Sequence, residues 1–289
     1  LQCPRLLWVH YNDTARLQDP DPGLEFRFAQ GHLVGEMARR LFPDGFTIGW
    51  DVGISEVVRQ SREALAERRP LFEAGFVFEH AFTRADVLVP AGKRKWDLVE
   101  VKSTGEVKQE HIEDVAFQRY VYEGAGVPIR RCHVMHVNTG YVRHGDVDAG
   151  ALYTRVDVTT EVKALLPKIG RRIRKMHATI AKPTCPRVKV GARCSSPRDC
   201  PLEDECWSFL PERNVFTLVS GGRKAWTLMG KGILALKDIP DDFKLSAHQE
   251  IQVRAVKRRK VIVNRRRLRA FLNTLRYPLY LLDFETAAT

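Results

Sequence analysis

The chain has 289 residues, 44% of them hydrophobic, and a formal net charge of +12. That is apolar material for one large or two medium domains, yet no apolar run approaches the roughly 20 residues of a membrane helix, and the opening LQCPRLLWVHY lacks the charged-then-apolar plan of a signal peptide. Six cysteines without a regular framework exclude a secreted disulfide scaffold and point to a reducing, cytoplasmic setting, where clustered cysteines bind metal.

Taken in chain order, residues 24–42 read as an amphipathic helix with His32 and Glu36 one turn apart. Residues 54–68 read as a second helix, ended by Pro70. The period then changes. Residues 72–79 (FEAGFVFE), 82–89 (FTRADVLV) and 96–103 (WDLVEVKS) are β-rich and separated by short loops, which predicts a three-stranded meander. Residues 109–124 return to helix, and 130–137 (RRCHVMHV) read as another strand. A loop with a short edge strand follows over 138–157, then a long basic helix over 158–181. This order predicts a mixed α/β core around a central sheet. Residues 212–276 read as mostly helical, and YPLYLLDFET at 277–286 as a buried type of strand.

Charge is unevenly spread. Between Glu161 and Asp199 there are eleven Lys or Arg and no acid; between Glu250 and Asp283 there are ten and again no acid. Stretches of one sign attract a polyanion, most often nucleic acid, although a solvated surface also reads this way.

Three charges interrupt otherwise apolar strands. On 96–103, alternation places Trp96, Leu98, Glu100 and Lys102 on one face and Val99 and Val101 on the other. Asp86 interrupts the preceding strand in the same manner. A charge in such a place is costly unless it is paired or bound to metal. Two carboxylates from adjacent strands can grip a hard divalent cation, magnesium or manganese, with the Val101 carbonyl as a further oxygen ligand. Phosphodiester hydrolysis needs an activated water and neutralisation of developing charge, which a cation and a neighbouring ammonium, here Lys102, supply. A salt-bridged edge strand is the plainer reading of this set. His32 could approach the same metal from the first helix. Gln118 and Tyr122, one turn apart on the helix after Lys102, could offer an amide to a phosphate and a ring to a base.

The ordered set His32, Asp86, Glu100-Val101-Lys102, Gln118 and Tyr122 resembles the RecB-type branch of the PD-(D/E)xK nucleases, which includes CRISPR-adaptation nucleases with an iron–sulfur cluster. The resemblance covers roughly residues 1–210. It implies a restriction-endonuclease-like core, a metal held by His32, Asp86 and Glu100, a catalytic Lys102, and Gln118 and Tyr122 as the family's QxxxY motif. It also implies DNA as substrate. Asp86 lacks a preceding proline, a departure that the branch shares.

Cys194, Cys200 and Cys206 form a cluster with five residues between each pair. The segment around Cys3 looks like the family's N-terminal cysteine segment, so that Cys3 would be the fourth ligand; Cys185 is a rival, and Cys132 reads as a small buried apolar residue. Four thiolates suit a 4Fe–4S cluster or zinc, and the spacing does not separate them; the resemblance favours iron–sulfur. Such a cluster would staple a loop of about 190 residues.

The closing YPLYLLDFET resembles the first motif of RNase H-like exonucleases, with Asp283 and Glu285 as its acids, and the absence of the later acids leaves them without an assigned activity. With Leu1 in place of a methionine and a strand lacking partners at the other end, the chain reads as a piece of a longer protein. The expected organisation is a nuclease domain at 1–210, a basic helical linker at 211–276 and the start of an exonuclease-like domain at 277–289. The expected function is metal-dependent cleavage of DNA, on single strands or ends. The alternatives are an inactive nucleic-acid-binding module and a zinc-stapled structural protein.

Overall fold

Residues 71–102 fold as three consecutive antiparallel strands in the computed structural model, which describes residues 2–17, 19 and 22–284. The chain divides into two compact units, Leu1–Glu203 and Asp204–Thr289. In the first unit the order is α1 (Pro4–Asn12), α2 (Pro22–Arg39), β1 (Phe46–Thr47), α3 (Ile54–Ala64), β2 (Leu71–Phe78), β3 (Ala81–Ala91), β4 (Lys95–Lys102), α4 (Gln109–Gly124), β5 (Ile129–Val137), α5 (Ala149–Leu152), β6 (Tyr153–Asp157) and α6 (Thr159–Ile180). Among the described residues six strands form one mixed sheet in the order β1-β2-β3-β4-β5-β6. The β2–β3–β4 meander is antiparallel, β4 and β5 are parallel across the α4 crossover, and β6 closes the edge antiparallel to β5.

Both faces of the sheet are covered, which is why its strands read as nearly continuous apolar runs. On one face Phe76, Leu98 and Val134 pack with Val115 and Tyr122 of α4 and with Val162, Ile169 and Ile173 of α6. On the other face Phe72, Val87, Val99 and Met135 pack with Val34, Met37 and Ala38 of α2. Each face has its own set, so a one-residue register slip would exchange them and expose both.

Local chemistry sets the element ends. The Lys108 amide donates to His111 Nδ1 at 3.1 Å and closes the start of α4. The helix stops at Gly124, and Gly126 turns the chain with φ of 88° before Pro128. Asp157 Oδ1 accepts from the Thr159 amide at 2.9 Å at the start of α6. A side chain at Gly170 would collide with the Tyr120 hydroxyl, so the glycine is what lets α4 and α6 approach. Tyr120 is thus a packing residue, and Cys132 is a buried apolar one.

The second unit contains most of α7 (Glu203–Trp207), then α8 (Gly222–Gly230), α9 (Ala247–Arg258) and α10 (Arg265–Leu272). Its core is Val215, Leu218, Ala225, Leu228, Leu236, Ile239 and Val253. Ser246 and Gln249 form a capping box on α9. No residue of α10 is buried.

One expectation is corrected. Residues 277–284 form no strand, and Tyr280, Leu281, Leu282 and Phe284 are exposed. A strand requires a partner for its peptide groups, and among the described residues nothing pairs with this segment, so its backbone remains hydrated. Asp283 lies in it; Glu285 lies outside the described residues. Among the described residues no helix is long and apolar enough to cross a membrane.

Candidate active site

The ladders on both sides of β3 are interrupted at one level, and charged residues gather there. The β3–β4 pairs run from Ala91↔Lys95 to Val87↔Val99 and stop, so the next residues in register, Asp86 and Glu100, stand at a fork. The β2–β3 ladder pairs Phe72↔Val87 and Ala74↔Ala85 but omits Glu73 and Asp86 between them. Glu73 has φ of 59°, a left-handed conformation that costs a non-glycine residue on the order of 1–3 kcal/mol. Glu73, Asp86 and Glu100 thereby occupy corresponding positions on three neighbouring strands.

Each acid is held differently. The Val101 amide donates to Asp86 Oδ2 at 2.6 Å across the fork. Glu100, 7% exposed, contacts the Lys102 ammonium through Oε1 at 2.9 Å and accepts from Gln118 Nε2 through Oε2 at 2.7 Å. Lys102 also donates to Asp114 Oδ2 at 3.1 Å. Arg39, at the end of α2, contacts Glu73 Oε1 at 2.9 Å. Gln118 is buried, and its Oε1 has no hydrogen-bond partner among the described residues. An orphaned acceptor beside a carboxylate is a cost that a cation or its water would remove.

Electrostatics separates the roles. Desolvation, then the charge of Glu100, pushes the Asp86 carboxyl well above the ordinary range; the Val101 amide and Lys102 oppose this weakly. Desolvation also raises Glu73, against the pull of Arg39 and Arg84. Burial works against the Lys102 charge, but Glu100 and Asp114 outweigh it and raise its pKa, so the amine is an ammonium at neutral pH.

The structure therefore brings together Asp86, Glu100, Lys102 and Gln118, with Val101 supplying its backbone. It does not join His32 to them: His32 lies on exposed α2, whose packed residues serve the opposite sheet face from α4. Tyr122 is fully buried, donates its hydroxyl to the Ala74 carbonyl and packs edge-on against Phe76 at 4.9 Å. Its ring offers no face to a base and fixes α4 to β2 instead. As placed, no three His, Cys, Asp or Glu side chains among the described residues converge closely enough to hold a metal ion. The donor set is nonetheless of the right kind for a hard divalent cation: carboxylate oxygens and an unpartnered amide oxygen.

Glu73 and Arg39 are the functional candidates that sequence reasoning misses. FEAGFVFE reads as an ordinary alternating strand, and the displaced backbone at Glu73 has no sequence mark. The one available signal is that Glu73, like Asp86, puts an acid in an apolar run.

Three cysteines of the first unit, Cys3, Cys194 and Cys200, are also gathered. Trp8 Nε1 donates to Lys182 O at 2.9 Å and Asn12 Nδ2 to Ile180 O at 3.1 Å, which ties α1 to the end of α6. Gln2 Nε2 then donates to Arg193 O at 2.8 Å, Arg198 O at 2.7 Å and Cys194 O at 3.3 Å. These bonds bring Cys3 to the loop of Cys194 and Cys200. Burial, then the neighbouring Cys3 and Cys194 sulfurs, push the Cys200 thiol up against the Leu202 amide. Cys206 belongs to the second unit. None of the cysteines forms a disulfide.

No protein-family model matches the chain, and no curated protein matches its sequence.

Proposed function

We propose that the first unit is a restriction-endonuclease-like domain acting as a metal-dependent deoxyribonuclease, on single strands or ends. The observation that carries the reading is the meeting of Asp86, Glu100 and Lys102 at the fork where the β3–β4 ladder stops. The β2–β3–β4 meander followed by α4 and parallel β5 supports the fold reading.

Asp86 and Glu100 would hold magnesium or manganese, with the Val101 carbonyl and Gln118 Oε1 as further oxygens. Such a cation lowers the pKa of an attacking water and neutralises charge on the phosphoryl group. The chain's own residues do the rest. Asp86 would hold the cation as a carboxylate, positioned by the Val101 amide. Lys102 keeps its ammonium and stabilises charge developing on the phosphate. Gln118 orients Glu100, and Arg39 holds the third acid, Glu73, beside them. The basic residues of 163–198 and 254–269 would attract the DNA backbone.

The test is cleavage of a short single-stranded DNA with magnesium or manganese. Lys102→Ala is expected to abolish cleavage with the melting temperature little changed; a variant as active as the parent would remove the site from the reaction. A second reading, a binding module without catalysis, is favoured by one observation: Lys102 and Gln118 already satisfy both oxygens of Glu100. Binding without any cleavage in manganese would establish it.

Cys3, Cys194 and Cys200 would supply three thiolates of a 4Fe–4S cluster. A four-iron cluster is wider than one ion and spaces its thiolates further apart. Anaerobically purified protein is expected to be brown, with iron and sulfide in equal amounts and absorption that bleaches under dithionite. Colourless protein containing zinc would replace the cluster by a zinc staple.

A further inference from the structure

Beside the three carboxylates stands an exposed tryptophan fixed by a cation. Trp50 lies in the loop between β1 and α3 and is 59% exposed. The Arg84 guanidinium lies over its ring, 4.5 Å from the centroid, and Arg84 Nη1 donates to Gly49 O at 3.1 Å. The loop is held at both ends. On one side Ile48 is fully buried and its amide donates to Phe72 O at 2.9 Å; on the other, Gly53 O accepts from the amides of Glu56 and Val57 at 3.0 Å. Arg84 is two residues before Asp86 on β3, and its charge reaches Glu73.

An isolated exposed tryptophan requires no explanation. This one differs in three respects. Its ring is oriented by a cation contact and its loop by backbone bonds, so little entropy remains to be lost when something stacks on it. Arg84 makes no ion pair within 4 Å among the described residues, and its bond to Gly49 leaves other N–H donors of the guanidinium uncommitted. Arg84, which holds the ring, is two residues from Asp86 and acts on Glu73, so it links the ring to the proposed site of bond cleavage. An aromatic ring beside an arginine with spare donors matches the two repeating parts of a nucleic-acid strand, a base face and a phosphate.

Resting on the nuclease reading, we propose that Trp50 and Arg84 form a nucleotide-binding subsite. Trp50 stacks on an unpaired base next to the scissile phosphate, and Arg84 donates to a neighbouring phosphate. A paired duplex does not offer that base face, so the subsite selects single-stranded DNA.

The experiment uses the full chain and a short labelled strand, with its duplex and a copy bearing one abasic nucleotide scanned along it. Binding is read by fluorescence anisotropy in EDTA, where it does not depend on catalysis; cleavage is read with manganese. Trp50→Ala is expected to weaken single-strand binding about tenfold and to raise KM more than it lowers kcat. The parent is expected to be penalised by an abasic nucleotide at one position, and Trp50→Ala to be indifferent to it. Trp50→Phe is expected to keep most of the parent's affinity, which separates stacking from a folding defect. Unchanged affinity in Trp50→Ala, or an abasic penalty that persists in it, would overturn the subsite. Loss of cleavage in the parent with the binding differences intact would overturn the nuclease reading and leave the subsite standing.

Discussion

Asp97 and Glu100 lie three residues apart on β4 and are about equally hidden, at 5% and 7% exposed. Asp97 accepts from Arg130 at 2.9 and 2.6 Å and from the Arg131 amide at 3.1 Å. Burial works against its charge, but the Arg130 bonds outweigh it and hold its pKa below the ordinary range. Its proton count is settled, and its task is to fix β4 on β5 beside the irregularity at Trp96/Asp97. Glu100 instead shares its surroundings with two further acids, Asp86 and Glu73, and it is Asp86 whose pKa is driven upward. One strand thus carries an acid matched to its own cation and an acid whose cation, Lys102, stands among three carboxylates. Matching gives rigidity; crowding leaves electrostatic free energy that an incoming cation can release.

Removing each acid tests whether that division is real. Glu100→Gln, which keeps an oxygen for Lys102 and for Gln118, is expected to lower cleavage on the order of a thousandfold while the melting temperature moves little. Asp97→Ala is expected to do the reverse: a loss of about 2 kcal/mol in stability, with the backbone donor of Arg131 left unsatisfied, and activity largely kept. The loss is no larger because the Arg130 side chain is 48% exposed and solvent screens its share. Denaturant melts and initial cleavage rates on the same preparations read both. Equal losses in both measurements for either variant would break the contrast.

Much of this was legible in sequence, for identifiable reasons. The strands could be read because both sheet faces are buried and β4 is apolar except where charge is used. Asp86, Glu100 and Lys102 stood out because each breaks that pattern. The C-terminal YPLYLL carries the same apolar pattern without a pairing partner, and pattern alone cannot supply one. Tyr122 was misread because α4 buries residues around most of its circumference, including His111, Gln118 and Arg119, so polar spacing along it does not mark a solvent face. Glu73 was hidden by a left-handed backbone conformation, and Trp50 by a loop whose orientation comes from Arg84, distant in sequence.

The smallest effect expected is also the one most specific to crowding. Because the folded-state pKa of Asp86 is raised, the folded chain binds more protons than the unfolded chain once pH exceeds the ordinary aspartate value of 3.8. Stability contributed by that proton is present below 3.8 and is lost as pH rises toward and through the raised value. Asp86→Asn retains an oxygen for the Val101 amide but removes the titration. In EDTA the variant is therefore expected to melt above the parent at neutral pH, with the gap closing as pH falls to the ordinary carboxylate range. Asp97→Asn is expected to slope the other way, its deficit greatest at neutral pH and smallest in acid, because a depressed pKa stabilises only while the carboxylate is charged. Parallel melting curves for Asp86→Asn and the parent across this range would mean that Asp86 is as well matched as Asp97, and the fork between β3 and β4 would then hold an ordinary structural acid.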